Sequence, residues 1–403
     1  MTETQTRSKR ANFFLILMLG LLSTVTPFSI DMYLPAFPEI ADDLQTSLAN
    51  VSFSVSAYFI GFALGQIIYG PLLDRFGRKR PLYAGLSIYI AASIGCIFST
   101  SIEALIIFRF IQALGACVSM VAATAMIHDF FPVKEGAKIF SLLILILGVS
   151  PLLAPTIGGF VVSAWGWQSV FYTLAIIVSL ILTMIYFFLP EGHQPDPTVS
   201  LKLKPIFKNF LSILKEKQFY VYALSGSLAF AGLFVYVAGS PAIFMQEFGL
   251  SAKAYGGIFA LLSVGFIGGS QLNIILNRKF SPQKIFKTCL TVEVITAILF
   301  LIGALNSWYG LAPTIGFLFV LLSCSGIAFP NAAAIALAPF SKNAGSASAL
   351  LGFIQIGLGA LLSSGVGLLE SKGSLPTAAV IAIASALGLI ILLGNKKTAK
   401  LET

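Results

Sequence analysis

The chain has 403 residues, of which 57% are hydrophobic and only 10% charged. A soluble domain of this size carries about 25% charged residues, so the composition excludes a soluble enzyme and indicates an integral membrane protein. The net charge of +9 does not mark a nucleic-acid binder, because the basic residues fall in short clusters between apolar runs and not on one face.

A spanning helix needs about 20 mostly apolar residues, and twelve stretches meet that rule. The basic Arg7-Ser-Lys-Arg10 precedes an apolar run that continues to Ile30 with no small-residue cleavage site, so it is expected to stay as the first span (11–34) and not to be removed as a signal peptide. Further spans are expected at 51–73, 81–99 and 104–128. The uncharged stretch 139–190 is too long for one helix, and Trp165-Gly-Trp-Gln168 divides it into spans five and six. The Trp pair suits a membrane interface. The polar segment 191–217 holds five lysines and three prolines. It is expected to link an N-terminal half, 1–190, to a C-terminal half, 218–403. Within it Leu201 to Leu214 reads equally as an amphipathic surface helix or a solvated basic loop. Spans seven to twelve are expected at 219–246, 254–277, 286–304, 311–340, 343–369 and 373–394. The predicted fold is all-α, with twelve transmembrane helices in two six-helix bundles.

Orientation follows from the basic residues. With the N-terminus inside, 22 Lys and Arg lie on the inner face and only Lys253 and Lys372 on the outer, which places both termini in the cytoplasm. Asn277-Arg-Lys-Phe280 sits between spans eight and nine much as Asp74-Arg75 sits between spans two and three, a weak internal repeat of the kind transporters carry.

Charge inside a span costs roughly 2.5–3.5 kcal/mol, and three charges lie inside: Asp31, Arg109 and Glu293. Arg109 is expected about 12 Å from the outer face and Asp31 about 9 Å, at 1.5 Å per residue. The two are therefore expected to be able to pair at similar depth. Such a pair would set burial against attraction and let the carboxylate exchange a proton. The plainer alternatives are an Asp31 that touches water, an Arg109 tied to backbone carbonyls, and a Glu293 near the inner surface or on a peripheral helix. Asp129 marks the inner end of span four and reads as a loop anchor. Gly61-x-x-x-Gly65 permits close helix approach. Pro151 and Pro155, followed by Gly158 and Gly159, read as a bend with close packing or as a hinge where helices slide.

The loop Gly70-Pro-Leu-Leu-Asp-Arg-Phe-Gly-Arg-Lys-Arg80 is a dense charge cluster between apolar runs, expected to form a tight turn on the cytoplasmic side. No P-loop, H-E-x-x-H, C-x-x-C or GxGxxG motif is present. No ATP motor, active site, metal site or cofactor is expected, and Cys96, Cys117, Cys289 and Cys324 lie inside apolar runs as small core residues.

Gly70, Leu72, Asp74, Arg75, Gly77, Arg78 and Lys79 resemble the signature loop of the major facilitator superfamily. Arg109-Phe-Ile-Gln112 with Gly115 resembles its span-four motif, with Ala113 where glycine is usual. The segment ending in Pro155-x-x-Gly-Gly159 resembles its antiporter motif, with Ala154 as a departure. Asp31-Met-Tyr-Leu-Pro-Ala36 looks like the span-one signature of the bicyclomycin/chloramphenicol-resistance type of drug–proton antiporter. The resemblance implies a monomeric, multi-pass protein of the bacterial inner membrane that exports small amphipathic compounds against protons by alternating access. A specific metabolite or siderophore transporter is the alternative, and a receptor or channel a more distant one. The resemblance implies proton coupling and substrate binding at Asp31 and Arg109. It implies support of the outward-facing state by Asp74 and Arg78, and with them Gly70, Arg75, Gly77, Pro151, Pro155, Gly158 and Gly159 are expected to form a conformational gate. Spans one, four, seven and ten would line the cavity. Residue type there nominates Phe28, Tyr33, Gln112, Phe230, Phe234, Tyr236 and Asn331 for substrate binding, with Tyr58 and Gln355 from neighbouring spans. Aromatic walls with few charges suit permissive binding.

Overall fold

The structure, a computed structural model, describes residues 9–131, 133–192, 195–196, 210–340, 344–368 and 373–394. No strand occurs among the described residues. The first group of helices comprises α1 (Lys9–Asp31), the short α2 (Phe37–Asp43), α3 (Leu48–Phe76), α4 (Lys79–Ile97), α5 (Ile102–Phe130), α6 (Val133–Trp165) and α7 (Gln168–Phe188). The second comprises α8 (Lys217–Pro241), α9 (Ala252–Leu276), α10 (Pro282–Leu305), α11 (Leu311–Leu337), α12 (Ala344–Leu368) and α13 (Leu375–Gly394). Among the described residues eleven helices are long and apolar enough to cross a membrane, and Val149–Trp165, the later part of α6, is a shorter apolar helix.

Helix starts follow capping chemistry. Ser47, Ser101, Ser251 and Ser281 each accept a backbone N–H three residues on, with Pro282 at the first position of α10. Gly166, at φ +79°, makes the break between α6 and α7 inside the expected Trp-Gly-Trp segment. The two tryptophans differ from expectation. Trp165 is exposed as an interface residue would be, but Trp167 is buried and its Nε1 donates to Asp43 Oδ2 at 2.9 Å.

The signature loop is also shorter than the punctuation suggests. α3 continues through Gly70 and Pro71 to Phe76, so Asp74 and Arg75 are helical, and the turn is made at Gly77 (φ 80°). Pro71 is tolerated because a proline near the end of a long helix removes a single bond from a ladder that packing already holds.

Each group packs mainly within itself, and two helix pairs carry most of the contact between them, α3 against α12 and α6 against α9, with a smaller contact of α3 on α8. The side-chain contacts between groups concentrate in the half of the molecule that ends at Trp167. Ser56 and Ser363 share a hydrogen bond of 2.9 Å, the Phe59 and Phe234 rings lie 4.7 Å apart, and Lys253 Nζ sits 5.1 Å over the Phe160 ring. Of the polar segment at the chain's midpoint, residues 201–209 lie outside the described residues. Residues 210–214 are helical, with Phe210 and Ile213 buried against α8 and α10 side chains.

Candidate transport site

Arg109 lies seven residues inside α5 and is fully buried. Its guanidinium stands 4.3 Å from the Tyr58 ring centre, 4.5 Å from Tyr33 and 5.9 Å from Phe171. One terminal nitrogen donates to Gln112 Oε1 at 2.6 Å, one turn along α5, and Gln112 Nε2 donates to Ser93 Oγ on α4 at 2.7 Å. Arg109 Nε and its other terminal nitrogen are buried without a hydrogen-bond partner. The cation is therefore held by ring faces and one amide. This buried cation with unused donors is chemically ready for an acceptor.

The structure brings together Tyr33, Tyr58, Arg109 and Gln112, four of the residues named from the sequence. It does not pair Arg109 with Asp31. The reason is azimuth, not depth. Ser29 and Tyr33 are four residues apart and share one face of the α1 end. Ser29 Oγ meets Tyr89 OH at 2.6 Å, and Tyr33 OH meets Ser54 Oγ at 2.8 Å. Asp31 is two residues from each, about 200° around a helix of 3.6 residues per turn. It points away from Arg109 toward the second group. There it stands within electrostatic reach of Tyr236 on α8 and Tyr255 on α9. Asp31 is 6% exposed; the Tyr236 hydroxyl is buried without a partner, and the Tyr255 hydroxyl meets Ser240 Oγ at 2.8 Å.

The remaining candidates fall elsewhere. Phe230 and Phe234 sit in an aromatic cluster with Phe266, Phe329 and Phe59. Asn331 is tied into the second group, its Nδ2 donating to Asn273 Oδ1 at 2.6 Å and to the Ile327 carbonyl at 2.7 Å. Phe28 and Gln355 are half-buried and join neither the Arg109 nor the Asp31 cluster. A cleft of about 540 Å³ opens at the Trp167 end, lined by Asn50, Phe53, Ala238, Gln246 and Val366 among others, and no candidate residue borders it. Sequence reasoning missed Tyr255, Ser54, Ser93 and Tyr89. Tyr89 and Ser93 lie one turn apart on α4, a polar pair in an apolar span that could have flagged a buried site.

Two structural features surround this site. At the Trp167 end, a Cβ on Gly158 would run into the Met32 carbonyl, and one on Gly159 would lie 2.8 Å from the Ala252 carbonyl oxygen. These glycines let α6 touch both the end of α1 and the start of α9. Pro155 takes part too, since a Cβ on Gly256 would lie 3.1 Å from its carbonyl oxygen. Pro151 lies one turn earlier in an α6 that remains helical throughout. At the other end, Arg78 Nε donates to Asp129 Oδ2 at 2.7 Å and its terminal nitrogens to Asp129 Oδ1 at 3.2 Å and Asp74 Oδ1 at 2.8 Å. Asp129 is thus a loop anchor. Burial works against the Arg78 charge, but the hydrogen bonds and charges of Asp129 and Asp74 outweigh it and hold the guanidinium above its ordinary value. Glu191 Oε1 accepts the backbone N–H groups of Arg78 (2.5 Å) and Lys79 (3.1 Å), capping α4 from a distant point in the chain.

Membrane-length helices among the described residues, in two groups that meet at one end over a buried carboxyl and a buried cation, form the architecture of a polytopic membrane transporter. The family profile of the Major Facilitator Superfamily matches residues 19–364, and the chain belongs to that superfamily. It is 32% identical to the MFS-type transporter YdgK of Bacillus subtilis, over 95% of each chain. It is 29% identical to a bicyclomycin resistance protein homolog of Haemophilus influenzae, over 91% of this chain and 92% of that one. It is 31% identical to the multidrug resistance protein MdtL of Shigella dysenteriae, over 82% of each. The crystal structure of a bacterial homolog of the lysosomal transporter Spinster, inward-facing and unoccupied, superposes with a TM-score of 0.73 over 96% of each chain at 16% identity.

Proposed function

We propose that this protein is a proton-coupled exporter of small amphipathic compounds, working by alternating access as a monomer in the bacterial inner membrane. In this reading it has twelve spans in two bundles, 1–190 and 218–403, joined by a cytoplasmic linker at 191–217, with both termini in the cytoplasm. The Trp167 end is then the outer end, and the conformation described is closed to the outside. The names of the bicyclomycin and multidrug resistance relatives support the substrate class.

One observation carries the mechanism: Asp31 belongs to the first group and lies within electrostatic reach of tyrosines of the second. Closing the outer end removes Asp31 from outer water without giving it a cation. A carboxylate so placed is costly, so the end closes with the proton on. Release of that proton to the cytoplasm leaves a charge, which a cationic or dipolar substrate compensates. Arg109, a few residues deeper in α5, offers its free donors to a substrate acceptor from within the aromatic box. The two buried charges thus act on different partners.

The test is ethidium exit from proteoliposomes under an imposed pH gradient, with bicyclomycin as competitor. Saturable, gradient-driven flux is expected in the wild type, and none in Asp31→Asn that elutes as folded protein. Full gradient-driven flux in Asp31→Asn would overturn the coupling role. Absence of saturable flux for either compound in folded wild-type protein would overturn the drug-export reading.

A further inference from the structure

A second carboxyl is buried where the proposed mechanism does not use it. Glu293 sits eleven residues into α10, about 17 Å along a helix that rises 1.5 Å per residue and close to its middle. It is not near a surface or on an outer face: it is 1% exposed, and its Oε2 is buried with no hydrogen-bond partner. No Lys, Arg or His pairs with it among the described residues.

The groups shown around it supply no cation. α8 presents Gly232, and α13 presents Ile381 beside it. The titratable groups that feel its charge are Cys289, one turn back on α10, and Cys324 on α11. Neither is a cation. An ionised carboxylate here would be desolvated and uncompensated, whereas a protonated one is neutral. Ionisable groups kept at such positions face the bundle interior and mark ion pathways.

The packing over it is thinnest at Gly232. A Cβ on Gly232 would stand 4.0 Å from Glu293 Oε1 and 3.7 Å from Ile381 Cγ2, both ordinary contacts. There is room for a methyl group, and the chain leaves it empty. The same α8 carries Phe234, whose ring meets Phe59 of the first group, and Tyr236, which faces Asp31. A shift of α8 when the outer end opens moves the cover of Asp31 and the gap over Glu293 together.

We propose that Glu293 is a second proton-binding site, in the opposite group of helices from Asp31, reached past Gly232 and loaded and unloaded as α8 moves. The inference rests on the proton-coupled reading above and adds a carrier to it. Infrared difference spectra of purified protein in lipid nanodiscs, stepped from about pH 4 to about pH 9, from the ordinary carboxyl range upward, test it without any substrate. A protonated-carboxyl C=O band is expected that vanishes in Glu293→Gln and persists in Asp31→Asn. In Gly232→Ala, where a methyl group fits, the band is expected to remain but its deuterium exchange to slow severalfold. In proteoliposomes Glu293→Gln is expected to move one proton fewer per ethidium.

A carboxyl band set unchanged by Glu293→Gln overturns the proposal, as does an unchanged proton count. Exchange as fast in folded Gly232→Ala as in wild type overturns access past α8. Should Glu293→Gln fail to fold, the Gly232→Ala exchange rate decides alone. Should no drug move in the wild type while the Glu293 band still titrates, the export reading fails and the proton site stands.

Discussion

Gly158 and Gly159 are neighbours on α6, yet alanine at each is expected to fail in a different way. At Gly159 the added Cβ would lie 2.8 Å from the Ala252 oxygen and 3.2 Å from its carbonyl carbon, at the first turn of α9. Comfortable contact needs about 3.5 Å, so the helices must part by about 0.7 Å. Overpacking of this kind costs about 1–3 kcal/mol. Because α6 and α9 belong to different groups, opening the Trp167 end relieves the clash, and the cost falls on the closed state alone. That is about a 5–150-fold shift toward the open state. Gly367→Ala acts the same way across α12 and α3, with its Cβ 2.9 Å from the Ala49 oxygen and from the Phe53 ring. The assay starts from protein with its four cysteines replaced and Ser56→Cys added, since Ser56 is buried at its contact with Ser363. Labelling by a membrane-impermeant maleimide then reports the open population. Its rate is expected to rise by that factor in Gly159→Ala and in Gly367→Ala. Gly158→Ala instead strikes the Met32 carbonyl within the same group, a clash that opening does not relieve. It is expected to lower the yield of folded protein and leave the labelling rate of the folded fraction unchanged. An unchanged rate in folded Gly159→Ala, or an equal rise in Gly158→Ala, would refute the reasoning.

Other substitutions test the remaining parts. Arg109→Lys keeps the charge but loses the planar group between Tyr33 and Tyr58, contacts worth about 2 kcal/mol each when desolvated. Ethidium exit is expected to fall at least about tenfold while elution stays normal. Asp129→Asn removes the charge that Arg78 grips at 2.7 Å. A charge-assisted bond of about 1.5–3 kcal/mol, discounted for the partial exposure of Asp129 and Asp74, gives an expected loss of about 1–2 kcal/mol in thermal unfolding. Since the folded-state pKa of Arg78 is raised, its contribution is fully present below its ordinary value, so this loss is expected to be flat from about pH 6 to about pH 9. Gly65→Val drives a side chain into Cys117, whose Cβ would lie 2.6 Å from the new Cβ. It is expected to reduce recovery of folded protein, measured by size-exclusion chromatography, through the packing of α3 on α5.

Long apolar runs were legible because each spanning helix must satisfy its own backbone in lipid. The breaks at Gly166 and Gly77 were legible as glycines between charge or tryptophan, although Gly70 and Pro71 misled, since a long packed helix absorbs a proline near its end. The Arg109 cluster was legible as a charge with aromatic and amide company. Partners set by rotation about a helix axis were not. Counting residues from a membrane face gives depth, and depth alone joined Asp31 to Arg109. The i, i+4 spacing of Ser29 and Tyr33 held the missing information, because polar side chains at 29 and 33 fix the face that meets α4 and α5. Asn331 shows a different limit: an amide in a lining span looks available until its partner, Asn273, is known from another helix.

The split of α1 into two faces has a mechanical consequence. Ser29 and Tyr33 bolt the end of α1 to the first group through Tyr89, Ser54 and the Arg109 box. Asp31, between them, is left to the second group. In the proposed cycle the carboxyl therefore moves with the first group and is read by the second. Any change in its charge acts at the seam where the groups part, and none of it is absorbed by rotation of α1 within its own bundle. An Asp31–Arg109 pair would have done the opposite, closing the charge within a single group and leaving the seam indifferent to it. Tyr255→Phe is therefore informative, since it keeps the ring and its packing and removes a hydroxyl that meets Ser240 within electrostatic reach of Asp31. If the seam senses the carboxyl, Tyr255→Phe changes the pH dependence of Ser56→Cys labelling, whereas a purely structural tyrosine would change only stability.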